Sequence, residues 1–192
     1  MQLYHTGHEI IQMPDVHYGR RNADFGQGFY LSDDLGFAQR WANETKDAET
    51  YINVYDLDLT GLDVVLFGRD ETWFDYIFQN RMGAADRHGD ADVVIGPIAN
   101  DTLYDTYGLI TSGLLKPAEA LQLLRLGNEY FQIALKSDKA AARLHWQEAR
   151  TLDAAQVERY RREVREEEKA FQEAFGATLQ TFPAFAEIDE IL

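Results

Sequence analysis

The chain has 192 residues and a formal charge of −15. So acidic a surface repels phosphate backbones and offers little for non-specific nucleic-acid binding, and a small anionic ligand would need a local basic patch. Apolar residues make up 45% and aromatics 12%, enough for the core of one domain with appendages, and the absence of cysteine excludes disulfides and thiolate metal sites.

The first residues, Met1-Gln2-Leu3-Tyr4, lead directly into a short strand over 2–6. No basic n-region, apolar h-region or membrane-length run is present, which predicts a cytoplasmic protein without membrane association. Residues 8–23 carry Pro14, Gly19 and mixed polar side chains and read as a loop. Phe29 to Leu31 is strand-like. Ser32 then reads as an N-cap ahead of Asp33 and Asp34, with Leu35, Ala38, Trp41 and Ala42 at helical spacing, so a helix is expected over about 33–45. Tyr51 to Leu59 reads as a strand and Val64 to Phe67 as an extended piece. A helix follows from Asp70 to Arg81, with Trp73, Phe74, Ile77 and Phe78 on one face.

Asp92 to Ile98 reads as a buried strand ended by Gly96-Pro97. Helices are expected over 101–107 and 117–126, the second with Pro117 in its first turn. Tyr130 to Lys136 is a late strand, and Ser137 caps a helix running to about Trp146. Composition shifts after about residue 150, which separates a body over 1–150 from a C-terminal part over 151–192. Val157 to Phe175 is one charged helix with a thin apolar stripe, and the apolar ending around Phe182-Pro183-Ala184-Phe185 docks on the core or on a partner. Strands and helices mix without regular βαβ alternation, so the fold class is α+β.

Three places carry candidate chemistry. In Asp24-Phe25-Gly26-Gln27-Gly28-Phe29-Tyr30-Leu31-Ser32, Gly26 and Gly28 permit close backbone approach. Strand alternation then puts Phe29 and Leu31 toward the core and Tyr30 toward a cleft, where its ring can stack on a flat base. A glycine-rich hairpin with core aromatics is the other reading. His5 lies on the first strand, out of phase with Tyr4 and followed by Thr6-Gly7. It is placed to bond a ribose, or it is structural. Gln132 is a polar residue inside the apolar strand Tyr130 to Leu135, and it needs a partner.

Taken in order, Leu3-Tyr4-His5-Thr6-Gly7, the Asp24–Tyr30 segment, Trp41-Ala42, Asn80-Arg81, Asp92 to Asp101 and Gln132 resemble the ADP-ribosyltransferase superfamily, in its diphtheria-toxin-like and poly-ADP-ribose-polymerase-like branch. More closely, the chain looks like an uncharacterised bacterial domain family of ADP-ribosyltransferase-like proteins. The resemblance runs from Leu3 to about Leu144. It implies a split β-sheet core with surrounding helices and a C-terminal helical extension, and it implies NAD as the substrate.

On that resemblance His5 bonds the adenosine-side ribose, the backbone at Thr6 or Gly7 binds the nicotinamide amide, and Tyr30, beside Gly28 and Phe29, stacks on the nicotinamide ring. The late-strand residue holds the 2′-hydroxyl of the nicotinamide ribose, next to a centre that becomes oxocarbenium-like. Relatives carry Glu there, whereas this chain has Gln132, which in the superfamily goes with mono-ADP-ribosyl transfer or with loss of activity. Glu129 falls on the opposite strand face. Arg20 and Arg21, in His17-Tyr18-Gly19-Arg20-Arg21-Asn22, form a local basic patch suited to the NAD pyrophosphate, or two solvated side chains. Asn80, Arg81, Asp92, Asn100 and Asp101 line the cleft or serve loops and caps. His88 and His145 read as surface or core residues, and no spacing of His and carboxylates suggests a metal site.

The expectation is therefore an NAD-dependent mono-ADP-ribosyltransferase with a protein or nucleic-acid acceptor. Bacterial transferases of this kind often serve as toxins, and the resemblance extends that expectation to this chain. A catalytically weak or inactive NAD-binding relative, with a protein partner at the C-terminal helix, is the second reading. An NAD hydrolase is the third.

Overall fold

A computed structural model describes residues 1–42, 49–99, 108–109 and 112–186. The helix expected over 101–107, together with Asn100 and Asp101, lies outside these residues. The fold is α+β. Two compact units divide it: Met1–Ile98 with Tyr130–Val164, and Ala99–Glu129 with Arg165–Leu192.

The first unit holds two sheets. One is three-stranded, in the order β1 (Gln2–Gly7), β3 (Thr50–Leu57), β7 (Leu144–Leu152), and is antiparallel throughout. The other is four-stranded, in the order β2 (Phe29–Leu31), β6 (Phe131–Leu135), β5 (Val93–Pro97), β4 (Val64–Leu66), with only the β4–β5 pair parallel. Alternation along β3 decides which core a side chain joins, Tyr55 and Leu57 on one face and Ile52 and Val54 on the other. Leu3, Phe29, Leu31, Tyr55, Leu57, Val93, Ile133 and Leu135 form one core, and Ile52, Val54 and Leu152 form another with Val157 and Tyr160. One bridge joins the sheets: the Tyr4 N–H donates to the Ser32 carbonyl at 2.8 Å, and the Ser32 N–H returns to the Tyr4 carbonyl at 2.9 Å.

Two expectations need correction. Helix α1 spans Leu35–Arg40, and its N-cap is Asp34, whose Oδ1 accepts from the Phe37 N–H at 2.9 Å. Ser32 is taken by the inter-sheet bridge, and its hydroxyl donates to the Phe131 carbonyl. Gly96 and Pro97 close β5, as expected, and pair with Gln132 and Phe131. The helix after Ser137, α4 (Asp138–Ala141), is a single turn, and residues expected to extend it form β7. Helix-forming Ala, Glu and Arg disguise that strand, while pairing along β3 overrides their propensity. A register shift at Val54/Tyr55 leaves Gln147 unpaired, and such a bulge breaks the period-two signal.

Helix α2 (Glu71–Arg81) starts at Asp70, whose Oδ1 accepts from the Trp73 N–H at 2.9 Å, and it buries Trp73, Tyr76, Ile77, Phe78 and Asn80. Helix α5 runs over Ala154–Leu179, longer at both ends than its apolar stripe suggested. In the second unit, α3 (Pro117–Leu124) contributes Leu123 to a small core with Leu115 and Phe182, the last preceding α6 (Pro183–Ala186). No helix among the described residues is long and apolar enough to cross a membrane.

Asp92 fastens the start of β5. Its carboxylate accepts from Ser137 Oγ and Lys139 Nζ at 2.6 Å each and from the Asp63 N–H at 2.8 Å. These bonds, led by that from Lys139, pull its carboxyl down to about 2. A depressed carboxyl stabilises the fold above its unfolded value near 4, and that contribution fades as pH falls toward 2. Urea unfolding between pH 5 and pH 2 is therefore expected to show a shallower loss of stability in Asp92→Asn than in the wild type. Equal slopes would contradict this role.

Candidate functional site

His5 sits on β1 facing the same side as buried Leu3, with its ring 4.5 Å from that of Phe29. Its Nδ1 lies 2.8 Å from the Tyr30 carbonyl. A carbonyl only accepts, so the ring proton must be on Nδ1, and Nε2 keeps its lone pair. Burial lowers the imidazole below its ordinary value, partly offset by that same bond, so His5 is neutral at pH 7 with an acceptor nitrogen to offer. Thr6 Oγ1 donates to the Ala38 carbonyl of α1. Gly7 ends β1 opposite Tyr51.

Tyr30 lies on β2 directly across from Ala134 of β6, which places it and Gln132 on one sheet face, one pair apart along β6. Phe29 and Leu31 point to the core, as alternation requires. The Tyr30 hydroxyl donates to the Gly26 carbonyl at 2.7 Å and accepts from the Phe25 N–H at 2.9 Å. Burial, the largest influence, raises its phenol far above the ordinary range, so Tyr30 is neutral and does not act as a base.

The glycines make room for protein. A Cβ on Gly28 would stand 2.6 Å from the Leu135 carbonyl oxygen, and one on Gly96 would stand 2.9 Å from Phe25 Cζ. Phe25 is fully buried, stacked 6.1 Å from Tyr76 and 6.2 Å from Phe67. Arg20 and Arg21 are exposed and make no hydrogen bond or ion pair among the described residues. They follow Gly19, whose carbonyl accepts from Gln27 Nε2 at 3.0 Å, so the basic patch adjoins the glycine segment.

The partner that Gln132 needs is Asp24. Gln132 Nε2 donates to Asp24 Oδ2 at 2.9 Å, and Arg81 Nε donates to Asp24 Oδ1 at 2.7 Å. The Asp24 and Arg81 side chains are only 12% and 9% exposed. Asn80, also buried, donates to the Asp24 carbonyl at 2.9 Å. One residue on, the Phe25 carbonyl accepts from Lys136 Nζ, which also pairs with Asp86. Tyr76 donates to Asp86 Oδ1 at 2.7 Å. Burial alone would raise the Asp86 carboxyl, but bonds from Lys136, Tyr76 and the His88 N–H outweigh it and hold it below its usual range.

Asp24, Asp86 and Lys136 were missed as site residues. The available signal was the rule that found a need at Gln132: Lys136 is a cation closing an apolar strand, and buried cations require carboxylates.

Residues 1–146 match the model of a family described as "Protein of unknown function (DUF3990)". The chain belongs to that family. No curated protein matches it. The matched span of this DUF3990 chain contains His5, Tyr30, Asp24, Arg81, Lys136 and Gln132. Asp92, offered by the sequence for the cleft or for a loop or cap, bonds Ser137, Lys139 and the Asp63 N–H at the start of β5. Glu129 is exposed and precedes β6, leaving Gln132 as the polar side chain on that strand. Among the described residues no group of three His, Cys, Asp or Glu is arranged to hold a metal ion.

Proposed function

We propose that this DUF3990 chain is an NAD-dependent mono-ADP-ribosyltransferase, transferring ADP-ribose from NAD to a macromolecular acceptor. The observation that carries the reading is the His5–Tyr30 contact: a neutral imidazole anchored through Nδ1 to the Tyr30 carbonyl, with Nε2 left as an acceptor. Gln132 shares a sheet face with Tyr30. A ribose hydroxyl donates to His5 Nε2, the nicotinamide ring lies on Tyr30, and the pyrophosphate meets Arg20 and Arg21. The bond between nicotinamide and the ribose C1′ breaks with its electrons leaving on nicotinamide. The nucleophile of the acceptor then attacks C1′ and gives up its proton to solvent. Gln132 Oε1 accepts from the 2′-hydroxyl beside that centre, which stabilises the transition state less than a carboxylate would.

Incubation with labelled NAD and a cell lysate is expected to label macromolecules and release nicotinamide. His5→Ala and Tyr30→Ala are each expected to reduce nicotinamide release by about 10- to 100-fold, on the scale of one lost hydrogen bond or one lost stacking contact. Labelling that survives both substitutions would overturn the reading. Nicotinamide release without a labelled macromolecule would identify a hydrolase.

One observation favours a second reading, an NAD-binding relative with little turnover. The aligned strand residue is an amide, and the carboxylate it bonds, Asp24, is paired on both oxygens. Calorimetric NAD binding without nicotinamide release would identify that case.

A further inference from the structure

We propose that Asp24 is a positioning residue: held by Arg81, it fixes the Gln132 side-chain amide with Nε2 inward, so that Oε1 is the atom offered to the ligand. An isolated glutamine amide presents either its oxygen or its NH₂ to a neighbour, because the two ends have similar shape. A carboxylate accepts but does not donate, so Asp24 Oδ2 at 2.9 Å selects the nitrogen end. The selection is firm because Asp24 cannot turn away. Arg81 Nε holds its other oxygen at 2.7 Å, and Asn80 holds its backbone carbonyl at 2.9 Å.

Gln132 Oε1 then points away from Asp24, and it accepts no hydrogen bond among the described residues. A site built this way takes a ligand group that donates, such as a sugar hydroxyl, and rejects one that only accepts. The identity of the ligand rests on the reading above; the orientation of the amide rests on the Asp24 contacts alone.

The pairing also tells how a Glu would behave on this strand. Gln132→Glu sets a second carboxylate against Asp24, which repels it. Gln132→Glu alone is therefore expected to fall short of wild-type NAD turnover. Adding Asp24→Asn supplies an amide that donates to the new carboxylate, and turnover is expected to rise at least 10-fold over Gln132→Glu.

The deciding measurement is the side-chain amide signal of Gln132 in a ¹⁵N-correlated NMR spectrum of the full chain at pH 7, assigned by its loss in Gln132→Ala. Its proton bonded to Asp24 is expected to exchange with water at least about 10-fold more slowly than those of exposed glutamines, and Asp24→Ala is expected to abolish that protection. An unprotected amide in the wild type, or one equally protected in Asp24→Ala, overturns the proposal whether or not NAD is consumed. Protection seen together with a chain that neither binds nor cleaves NAD would leave Asp24 as the positioning residue and remove the transferase reading. Should Asp24→Ala fail to fold, the wild-type exchange alone decides: protection supports the proposal and its absence overturns it.

Discussion

Lys136→Met is expected to lower the free energy of unfolding by about 3–5 kcal/mol, measured by urea denaturation at pH 7. The Lys136 side chain is 2% exposed, and its ammonium is shared between the Asp86 carboxylate and the Phe25 carbonyl. Methionine fills the volume of the stem but leaves Asp86 without its cation. Tyr76 and the His88 N–H still bond Asp86, and that carboxylate is 22% exposed, so the loss belongs toward the lower end of the range. The Phe25 carbonyl keeps only the long 3.3 Å contact from Tyr76. Because the Asp86 carboxyl is held below its usual range, the pair stabilises above the unfolded value near 4 and fails as pH falls through the folded one. The deficit of Lys136→Met should accordingly shrink in acid. A change under about 1 kcal/mol at pH 7 would mean that the buried pair contributes little beyond its own desolvation cost.

Trp73→Ala is expected to cost about 3–5 kcal/mol by the same measurement. Trp73 is fully buried on α2, and its indole N–H donates to the Pro97 carbonyl at 2.9 Å. Truncation opens a cavity and leaves that carbonyl without its indole donor, so the transfer, packing and hydrogen-bond losses fall together. The consequence reaches the site. Trp73 fastens the start of α2 to the end of β5, and Asn80 and Arg81 at the far end of the same helix hold Asp24. The surviving fold should grip Gln132 less firmly.

These contacts indicate what was legible in the chain. Strands β1, β2 and β6 and the helix after Asp70 are written locally, through alternation, a cap and a three-to-four residue apolar period. The place of Tyr30 on the face opposite Phe29 follows from the same alternation. Strand β7 is not written that way, because its residues favour helix and its pairing comes from β3 with a bulge. The Asp24–Gln132 bond joins residues 108 apart in sequence, and Arg81 reaches Asp24 across 57. No local pattern encodes such pairings. What the sequence carries is the requirement: an amide and an ammonium on one apolar strand must each find a partner. Asp24 stood inside the motif that drew attention to Gly26 and Gly28, yet its carboxylate, rather than the space beside the glycines, is what meets Gln132.

The most direct test of the account is a crystal structure of the chain soaked with NAD. The account predicts the nicotinamide ring stacked on Tyr30 and a ribose hydroxyl donating to His5 Nε2. It also predicts the 2′-hydroxyl of the nicotinamide ribose on Gln132 Oε1, with Nε2 still on Asp24. NAD bound away from Tyr30, or a Gln132 amide turned to present its nitrogen to the ligand, would contradict it.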